Sequence, residues 1–496
     1  MDNFKDKVFN LLNENKVVVL FIVLCIGAIY VSGDPLTFVV RELFARIGRN
    51  GFMVLSLLIP ILAGMGLNFG ITIGAIAAQV ALFWVVYWGF TGIEGFLLTV
   101  AMATPIAMLF GWLVGKLFNT MKGAEMIAGM ILGYFADGLY QLFFLFIIGG
   151  VIPVVNETLI IRGGVGVKNT IDLTGNLKYA LDTVSMLSLA KIGFWVLIAI
   201  LGLRLVLRLT RKLEGPLTSD LLLLIGAVAI YGLIQVPAIE GFLATDRLLL
   251  LDGVIIAAVA LAAWQVWRIV SNKIIRRDED FSIWGPLAII AACVVGYLLT
   301  YVDYVREILV FVEIPVATYL CIVLLCVFNN MLLRTKLGQD MRTVGHSRVV
   351  ANVAGIDVDR TRIIAMMLST VLACWGQLIY LQNMGTFATY AAHTQVSLFA
   401  IAALLVGGAS IQKATNTQAI LGVILFHTLF IVAPQAGTQL FKNPQLGEYF
   451  RVFVAYGVIA VSLAMHAWET RPKQVVPIKV EEKPEVGVAG GTSEGE

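Results

Sequence analysis

Charged residues are scarce in this chain. Asp, Glu, Lys and Arg together make up 14% of its 496 residues, whereas hydrophobic residues make up 59%. Because a soluble domain needs a largely polar surface, this composition excludes an ordinary water-soluble globular protein and predicts a polytopic membrane protein. The formal net charge is only +3, so the composition gives no sign of a surface that binds nucleic acid.

Motifs for several kinds of chemistry are also missing. No GxxxxGKS or GxxxxGKT phosphate-binding loop occurs, so the chain cannot be its own P-loop ATPase. The five cysteines all fall in apolar runs, where they behave as small hydrophobic residues rather than as disulfide or zinc pairs. The histidines are isolated in the sequence, at His346, His393, His427 and His466. We therefore predict no metal site, no cofactor and no catalytic residue in this chain, and a membrane-embedded enzyme is the least favoured class.

Long apolar runs are what the chain has in quantity. A helix needs about 20 apolar residues to cross a hydrocarbon core about 30 Å thick. Lipid tolerates no unpaired backbone groups, so each run is expected to be a helix. Fourteen candidate spans lie near residues 17–32, 51–66, 68–90, 95–118, 124–150, 188–209, 219–237, 250–270, 283–302, 308–332, 363–382, 397–412, 418–434 and 450–468. The pattern predicts an all-α, polytopic helical membrane protein.

The basic residues orient these spans. Most of the 35 Lys and Arg fall on one side if the N-terminus is cytoplasmic, which predicts that both termini are cytoplasmic. The organisation is then a cytoplasmic N-terminus over residues 1–16, a transmembrane domain over 17–468 and a disordered, charged tail over 469–496. Acidic residues in the leader, and the lack of a clear cleavage site, favour an uncleaved first helix over a signal peptide.

Residues 36–50 have an amphipathic pattern. Apolar side chains recur on one helical face, and Arg41, Arg46 and Arg49 lie on the other. This pattern predicts a separate helix before the second span, either lying in the membrane interface or packed on the domain as an extracellular loop helix.

A few polar side chains and glycines interrupt the apolar runs. Residues 63–79, AGMGLNFGITIGAIAAQ, predict either a broken helix that lines a solute path or close packing through small residues. An ionised Asp137 in the fifth span would cost about 2.5–3.5 kcal/mol in lipid, so it must point inward, either towards a solute or proton or towards a polar group on a neighbouring helix. The candidate path residues are Asn68, Gly70, Gly74, Gln79, Asp137, Gln141, Gln377 and Asn383. Of these, Gln79, Gln377 and Asn383 can equally form hydrogen bonds between helices.

A dense polar segment, TKLGQDMRTVGHSRVVANVAGIDVDRTR, separates two apolar runs at residues 335–362. It is either an ordinary solvated loop or a docking element. Gly345 and Gly355 could form turns at the ends of a short helix. Val349, Val350 and Val353 could then fill an apolar groove on a partner.

The order of residues in this segment resembles the permease subunits of ABC importers, in the branch that carries simple sugars such as ribose, branched-chain amino acids and nucleosides. The residues that carry the resemblance are Thr335, Lys336, Gly338, Arg342, Gly345, Val350, Ala351, Gly355 and Ile356. In the next helix Ser369 and Ala373 fit the family pattern, although Thr370 stands where the family has glycine. Gly407 and Gly408 match a further pair, and the LNFGITIGA stretch resembles a short segment after the second span.

The resemblance implies a ten-helix permease core, to which this chain adds an insert of about four helices within residues 188–302. It also implies a cytoplasmic coupling loop at 333–362, in which residues 339–358 form a short helix seated in a groove of an ATPase. The implied coupling residues are Arg342, Gly345, Arg348, Ala351, Gly355 and Ile356. The insert could bind lipid, replace an accessory subunit or enlarge the core.

The function implied by the resemblance is that of a membrane subunit without catalytic activity. An ATP-driven importer in the plasma membrane of a prokaryote would use it to translocate a small polar solute. Its partners would be a cytoplasmic ABC ATPase that uses ATP and Mg²⁺, an identical or different second permease subunit, an extracytoplasmic binding protein and the lipid bilayer. The scarcity of charge along the path apart from Asp137 favours a sugar or nucleoside. The alternative is a proton-coupled secondary transporter in which Asp137 carries the proton.

Overall fold

A computed structural model of the protein describes residues 16–154, 156, 158–161, 166–210, 217–275 and 282–469. The predictions for the N-terminal leader and for the tail after residue 469 lie outside the described residues. The predicted N-terminal span begins at the first of them, Lys16.

Helices form nearly all of the described structure. The first group is α1 (Lys16–Ser32), α2 (Leu36–Ser56), α3 (Leu58–Leu62), α4 (Ile71–Tyr87), α5 (Gly92–Thr120) and α6 (Glu125–Leu142), which continues as a π-helical turn over Phe143–Ile147. The second group is α7 (Met186–Leu209), α8 (Leu217–Ile234), α9 (Pro237–Leu243), α10 (Leu250–Ile269, with a π-helical end over Val270–Ile275), α11 (Trp284–Leu299) and α12 (Asp303–Val310). The third group is α13 (Val316–Arg334), α14 (Lys336–His346), α15 (Arg348–Val353), α16 (Val358–Met384), α17 (Ala392–Val406), α18 (Asn416–Phe441) and α19 (Pro444–Glu469).

Four short strands join loops at one end of the bundle. β1 (Thr170–Asp172) pairs antiparallel with β4 (Thr386–Ala388), with Ile171 opposite Phe387. β2 (Arg247–Leu249) pairs antiparallel with β3 (Glu313–Pro315).

The helices confirm an all-α polytopic membrane protein. Within the described residues, seven helices are long and apolar enough to cross a membrane, or up to nine if each of two bent pairs is one span. Every one of the fourteen predicted apolar runs overlaps a described helix. The number of full crossings and the orientation of the termini stay predictions.

The prediction of a separate helix over residues 36–50 is wrong. α2 runs without interruption from Leu36 to Ser56, and Leu57 keeps helical angles (φ −74°, ψ −13°) into α3. Two of the three arginines on the charged face contact other helices, while Arg41 is exposed: the Arg46 guanidinium lies 5.1 Å from the Phe430 ring, and Arg49 Nε donates to Asn383 Oδ1 at 2.9 Å. Polar residues recur with the same helical periodicity whether their stripe packs between helices or lies exposed at a membrane surface, so the sequence pattern could not separate the two.

The centre of the bundle is α4, which is buried on almost every side and packs against α5, α16 and α17. Gly74 on this helix explains one close approach. A Cβ at that position would lie 2.6 Å from the carbonyl oxygen of Thr370 on α16. Gly74 therefore allows close packing between α4 and α16, which is one of the two alternatives that the sequence left open for this segment.

The insert consists of two helical hairpins beside this core. α7 packs against α8, and α10 against α11, while most of their large apolar side chains are exposed, as with Trp195 and Trp264. The run predicted as a span over 308–332 differs from the structure, because α12 ends at Val310 and α13 begins only at Val316. α11 and α12 meet at a bend of 88°.

Candidate functional site

The polar segment after α13 folds into two short helices rather than one. We call residues 336–357 the coupling segment; it contains α14, α15 and the turn before α16. The side chain of Thr335 caps α14 by accepting a hydrogen bond from Gly338 N at 3.2 Å, and Ser347 caps α15 by accepting one from Val350 N at 3.3 Å. The single helix expected over 339–358 is split because Ser347 is extended (φ −156°) and starts a new helix.

An apolar patch on α15 faces away from the membrane domain. Val349, Val350 and Val353 are 73%, 57% and 86% exposed. Ala351, one of the predicted coupling residues, is instead fully buried in a small cluster with Val344 and Val358 that also packs against Ile356. One face of α15 thus anchors the helix, and the other face leaves the three valines exposed.

The glycines of the coupling segment have different structural roles. Gly355 adopts φ +77° in the turn after α15, as predicted. Gly345 lies inside α14, so the prediction that it forms a turn is wrong. A Cβ on Gly345 would collide with the carbonyl oxygen of Leu62, and a Cβ on Gly64 would lie 2.7 Å from Gly345 Cα. Glycine is needed here because two backbones meet.

This backbone contact joins the coupling segment to an interruption of the membrane helices. We call residues 63–70, between α3 and α4, the break segment. Gly64 and Gly66 have φ +71° and +68° there, so the chain turns sharply before α4 begins. The break in the helix is therefore present, and its turn lies directly on α14, whereas a solute path along it stays a prediction.

An ion-pair cluster makes a second link from the coupling segment to the bundle. Glu125 Oε1, at the start of α6, lies 2.5 Å from Arg348 Nη2 and 2.5 Å from Arg362 Nη2. Arg362 is fully buried, and Glu125 is nearly so. Arg348 is thus half-buried and paired with Glu125 of the same chain, whereas Arg342 is exposed. Sequence analysis missed Glu125 and Arg362, because two charges more than 200 positions apart carry no local signal of pairing.

A cavity of about 520 Å³ opens between α6, α17, α19 and the break segment. Its polar wall residues are Thr72, Asp137, Thr394, Gln395, Ser397 and Arg451. Aromatic side chains cover much of the remaining wall, at Phe69, Tyr134, Phe399, Phe430 and Tyr456. Of the predicted path residues, all of which the structure describes, Asp137 alone lines this cavity.

Asp137 is supported from behind by two side chains. Its Oδ1 lies 2.7 Å from His393 Nε2 on α17, and its Oδ2 accepts a hydrogen bond from Gln141 Nε2 at 3.1 Å. His393 is fully buried, while the Asp137 side chain keeps 21% exposure. The pairing with a neighbouring helix, one of the two alternatives for Asp137, is present. His393 had looked isolated, because its partner is 256 positions away.

The other predicted path residues lie in the helix packing. Asn68, Gln79 and Gln377 are fully buried, and Gly70 immediately precedes α4, where an added Cβ would lie 3.1 Å from Asn68 Oδ1. None of these four lines the cavity beside Asp137.

Asn383 belongs to a polar network at the end of α16 remote from the coupling segment. Its Nδ2 and Gln382 Nε2 each donate to the buried Asp182 carboxylate at 2.9 Å, and Thr318 Oγ1 donates to the same carboxylate. Asn383 Oδ1 accepts from Arg49 Nε at 2.9 Å. Asp182 was missed by sequence analysis, since it lies in a loop with no motif around it. The network fixes that loop to α13 and α16, and Asn383 extends it to Arg49 on α2.

The β1–β4 sheet closes the same end of the bundle, directly before α17. Tyr390, between β4 and α17, donates a hydrogen bond from its hydroxyl to Val167 O at 2.7 Å. Partial burial raises the pKa of the Tyr390 phenol above its usual value, so the group stays protonated and keeps donating. The start of α17, where His393 lies, is thus fixed to the loop.

A metal centre has no candidate ligands in the described part of the chain, where no three His, Cys, Asp or Glu side chains come together suitably. The described cysteines are free, and Cys25 and Cys374 are buried.

Comparison with known proteins gives one family match. The family described as "Branched-chain amino acid transport system / permease component" matches residues 221–463. That range includes the coupling segment and the parts of α17 and α19 that line the cavity. No solved structure gives a significant match to the chain.

Three curated relatives match shorter stretches. The "Probable ABC transporter permease protein y4mJ" of Sinorhizobium fredii is 35% identical over 117 residues, which are 23% of this chain and 34% of the relative. The "Autoinducer 2 import system permease protein LsrC" of Klebsiella pneumoniae is 28% identical over 152 residues, 30% of this chain and 43% of the relative. The "Xylose transport system permease protein XylH" of Haemophilus influenzae is 24% identical over 205 residues, 40% of this chain and 51% of the relative. The chain thus spans about a third to a half of the length of these relatives.

Proposed function

We propose that the chain is a permease of the ABC importer family and forms the membrane-spanning subunit of an ATP-driven importer, because its residues 221–463 match a family of transport-system permease components and its curated relatives are permeases of import and transport systems. It translocates a small polar solute that an extracytoplasmic binding protein delivers. A separate cytoplasmic ABC ATPase hydrolyses ATP with Mg²⁺, and a second permease subunit completes the complex. The membrane is the plasma membrane of a prokaryote, and both termini face the cytoplasm.

The exposed valine patch on α15 is the observation that carries this proposal. Val349, Val350 and Val353 occupy a short helix outside the membrane domain, where exposed apolar side chains are unfavourable unless a partner covers them. A short helix with one apolar face fits a groove on another protein. An ATPase bound at this patch would hold the element that contacts the break segment.

Two links connect this docking surface to the cavity. The first runs from α14 through the Gly345–Gly64 contact to the break segment, which contributes Phe69 to the cavity wall. The second runs from Arg348 to Glu125 and along α6 to Asp137. Close-packed backbones cannot be compressed. A displacement of α15 must therefore move the break segment, α6 or both, and these form two walls of the cavity.

Alternating access then needs no covalent chemistry in this chain. Nucleotide binding to the ATPase pair favours one position of the coupling segment, and nucleotide release favours another. Each position sets a different arrangement of α4 and α6 around the cavity. A proton-coupled secondary transporter is not favoured, since the relatives are named as permeases of ABC transport or import systems.

The proposal is tested by affinity purification of the chain from its native membrane in mild detergent, followed by mass spectrometry. The expected result is co-purification of a P-loop ATPase, with a binding protein or a second permease. Val353→Asp should abolish recovery of the ATPase while the chain still inserts. Met121→Asp is the matched control, because Met121 is an exposed apolar residue at the same end of the bundle but outside the coupling segment.

Two results would contradict the proposal. One is reproducible recovery of the folded wild-type chain without any ATPase. The other is equal loss of the ATPase from both variants, which would mean that general disruption, and not the α15 patch, controls binding.

A further inference from the structure

Arg348 lies where the exposed valine patch meets the helical bundle. It is the first residue of α15, directly before Val349 and Val350, and its side chain is 32% exposed. Its guanidinium reaches back to the start of α6, where Nη2 lies 2.5 Å from Glu125 Oε1. One residue thus belongs both to the surface that a partner would cover and to the ion-pair cluster behind that surface.

The cluster around Glu125 has more cations than anions. Glu125 Oε1 lies 2.5 Å from Arg348 Nη2 and 2.5 Å from Arg362 Nη2, so two arginines share one carboxylate oxygen. The nearby Asp359 carboxylate is already paired with Lys122 at 2.9 Å. These five side chains carry three positive charges and two negative charges. One positive charge therefore has no counterion within the group.

Arg362 lacks acceptors in this arrangement. Its side chain is fully buried, and its Nε and Nη1 atoms have no hydrogen-bond partner among the described residues. A buried guanidinium with unpaired N–H groups is unfavourable. An arginine pairs most strongly with a carboxylate when two of its N–H groups donate to the two oxygens. Arg348 occupies the oxygen of Glu125 that Arg362 also uses, so the two arginines compete for the same acceptor.

Departure of Arg348 would leave no uncompensated charge in the cluster. Glu125 Oε2 accepts a hydrogen bond from Gly123 N at 2.8 Å, and a carboxylate oxygen has two lone-pair positions. Both oxygens of Glu125 can then accept from Arg362, in a pair that is neutral as a whole. A buried carboxylate that lost its sole cation would be strongly unfavourable. The second arginine therefore makes the first one releasable.

The charge of the surrounding surface indicates what a released Arg348 meets. Residues 334–362 contain six Lys or Arg and three Asp, with no Glu. Complementary potentials favour docking, so this basic surface suits an acidic partner. A carboxylate at the edge of the partner's apolar groove would accept two parallel hydrogen bonds from the Arg348 guanidinium.

We infer that Arg348 is an exchangeable docking cation: without a partner it pairs with Glu125, and when an acidic groove covers the valine patch it leaves Glu125 to Arg362 and pairs with a carboxylate of the partner. The inference rests on the proposed function, to which it adds the chemistry of the partner's groove. The exchange breaks the link from α15 to α6, while the backbone contact between Gly345 and Gly64 remains. Arg348 is a partner-binding residue, and Arg362 is a positioning residue.

Zero-length cross-linking tests the exchange in the complete complex. Arg348→Lys keeps the positive charge and supplies an amine, which a carbodiimide joins through an amide bond to a carboxylate in contact with it. The complex is purified from the native membrane in mild detergent, treated, digested and analysed by mass spectrometry. We expect position 348 to be joined to an Asp or Glu of the ATPase. Lys122 is the matched control, because it contacts the exposed Asp359 outside the patch; it should be joined to Asp359 and not to the ATPase.

Thermal unfolding of the purified full-length chain tests the release without any ATPase. Arg348→Gln should lower the apparent unfolding temperature only slightly, as should Arg342→Gln, which changes an exposed arginine of the same segment. In an Arg362→Gln background the loss from Arg348→Gln should at least double, because Glu125 then loses its last cation. If Arg362→Gln does not give a monodisperse protein, Arg362→Lys replaces it, and the loss from Arg348→Gln should stay small because one cation remains.

Three outcomes would overturn the exchange. The first is position 348 joined to Glu125 alone in the complex. The second is no product between position 348 and the ATPase although Lys122 is joined to Asp359. The third is a loss from Arg348→Gln in the wild-type background as large as that from Arg362→Gln. Each of these leaves the importer intact if the ATPase is recovered. Recovery of the chain without any ATPase contradicts the proposed function instead, even where unfolding shows Arg348 to be releasable.

Discussion

Replacing Gly64 by alanine tests whether the coupling segment and the break segment meet in the rigid backbone contact described above. Gly64 has φ +71°, and an added Cβ would lie 2.7 Å from Gly345 Cα and 3.2 Å from Gly345 O. Both neighbouring atoms belong to the backbone, so no side chain can rotate away. The substitution must strain the left-handed backbone and also push the two segments apart.

Gly355→Ala is the matched control, because it has the backbone strain without the collision. Gly355 has φ +77°, with no atom within 4 Å of an added Cβ. We expect about 1–2 kcal/mol of destabilisation there, the usual cost of the left-handed region for a residue with a Cβ. Gly64→Ala should add about 1–3 kcal/mol, the typical cost of overpacking.

Thermal unfolding of the purified full-length variants in one detergent measures the difference. The apparent unfolding temperature should fall from wild type to Gly355→Ala and fall further in Gly64→Ala. Gly345→Ala alone should resemble Gly64→Ala, since its Cβ would meet the Leu62 carbonyl. In the double variant the two losses should be less than additive, because the first substitution already separates the segments. If Gly64→Ala is no less stable than Gly355→Ala, the contact is not rigid and the first link to the cavity fails.

Four further substitutions test the two polar clusters by the same unfolding measurement. Glu125→Ala should lower the free energy of unfolding by about 3–5 kcal/mol, because it leaves the fully buried Arg362 without its carboxylate. Lys122→Ala is the control, since it removes only an exposed ion pair with Asp359 and should cost about 0–1 kcal/mol. Equal losses would show that the Glu125 cluster is not buried as described. Asp182→Ala should destabilise the protein more than Asn383→Ala, because it leaves the buried donors of Thr318 and Gln382 without an acceptor, at about 1–3 kcal/mol each, and also removes the half-buried bond from Asn383.

The sequence by itself determined the membrane class, the approximate positions of most helices and the location of the polar coupling segment. These features depend on local properties. Apolar runs of membrane length must be helical because lipid cannot satisfy free backbone groups. The break before α4 was also local, since clustered glycines such as Gly64 and Gly66 interrupt an apolar run wherever it packs.

Tertiary structure alone decided which polar groups meet. The Asp137–His393 pair and the Glu125–Arg362 pair each join residues more than 200 positions apart, and each residue looked unremarkable in its own helix. Helical periodicity also misled at α2, because a polar stripe against other helices has the same spacing as one at a membrane surface. The sequence of α4 is apolar around nearly the whole helix, so it shows no polar face that could line a solute path. It therefore could not indicate whether Gln79 contacts such a path or the packed core. A linear pattern reports how polar each residue is, and only the packing of distant helices reports what each residue contacts.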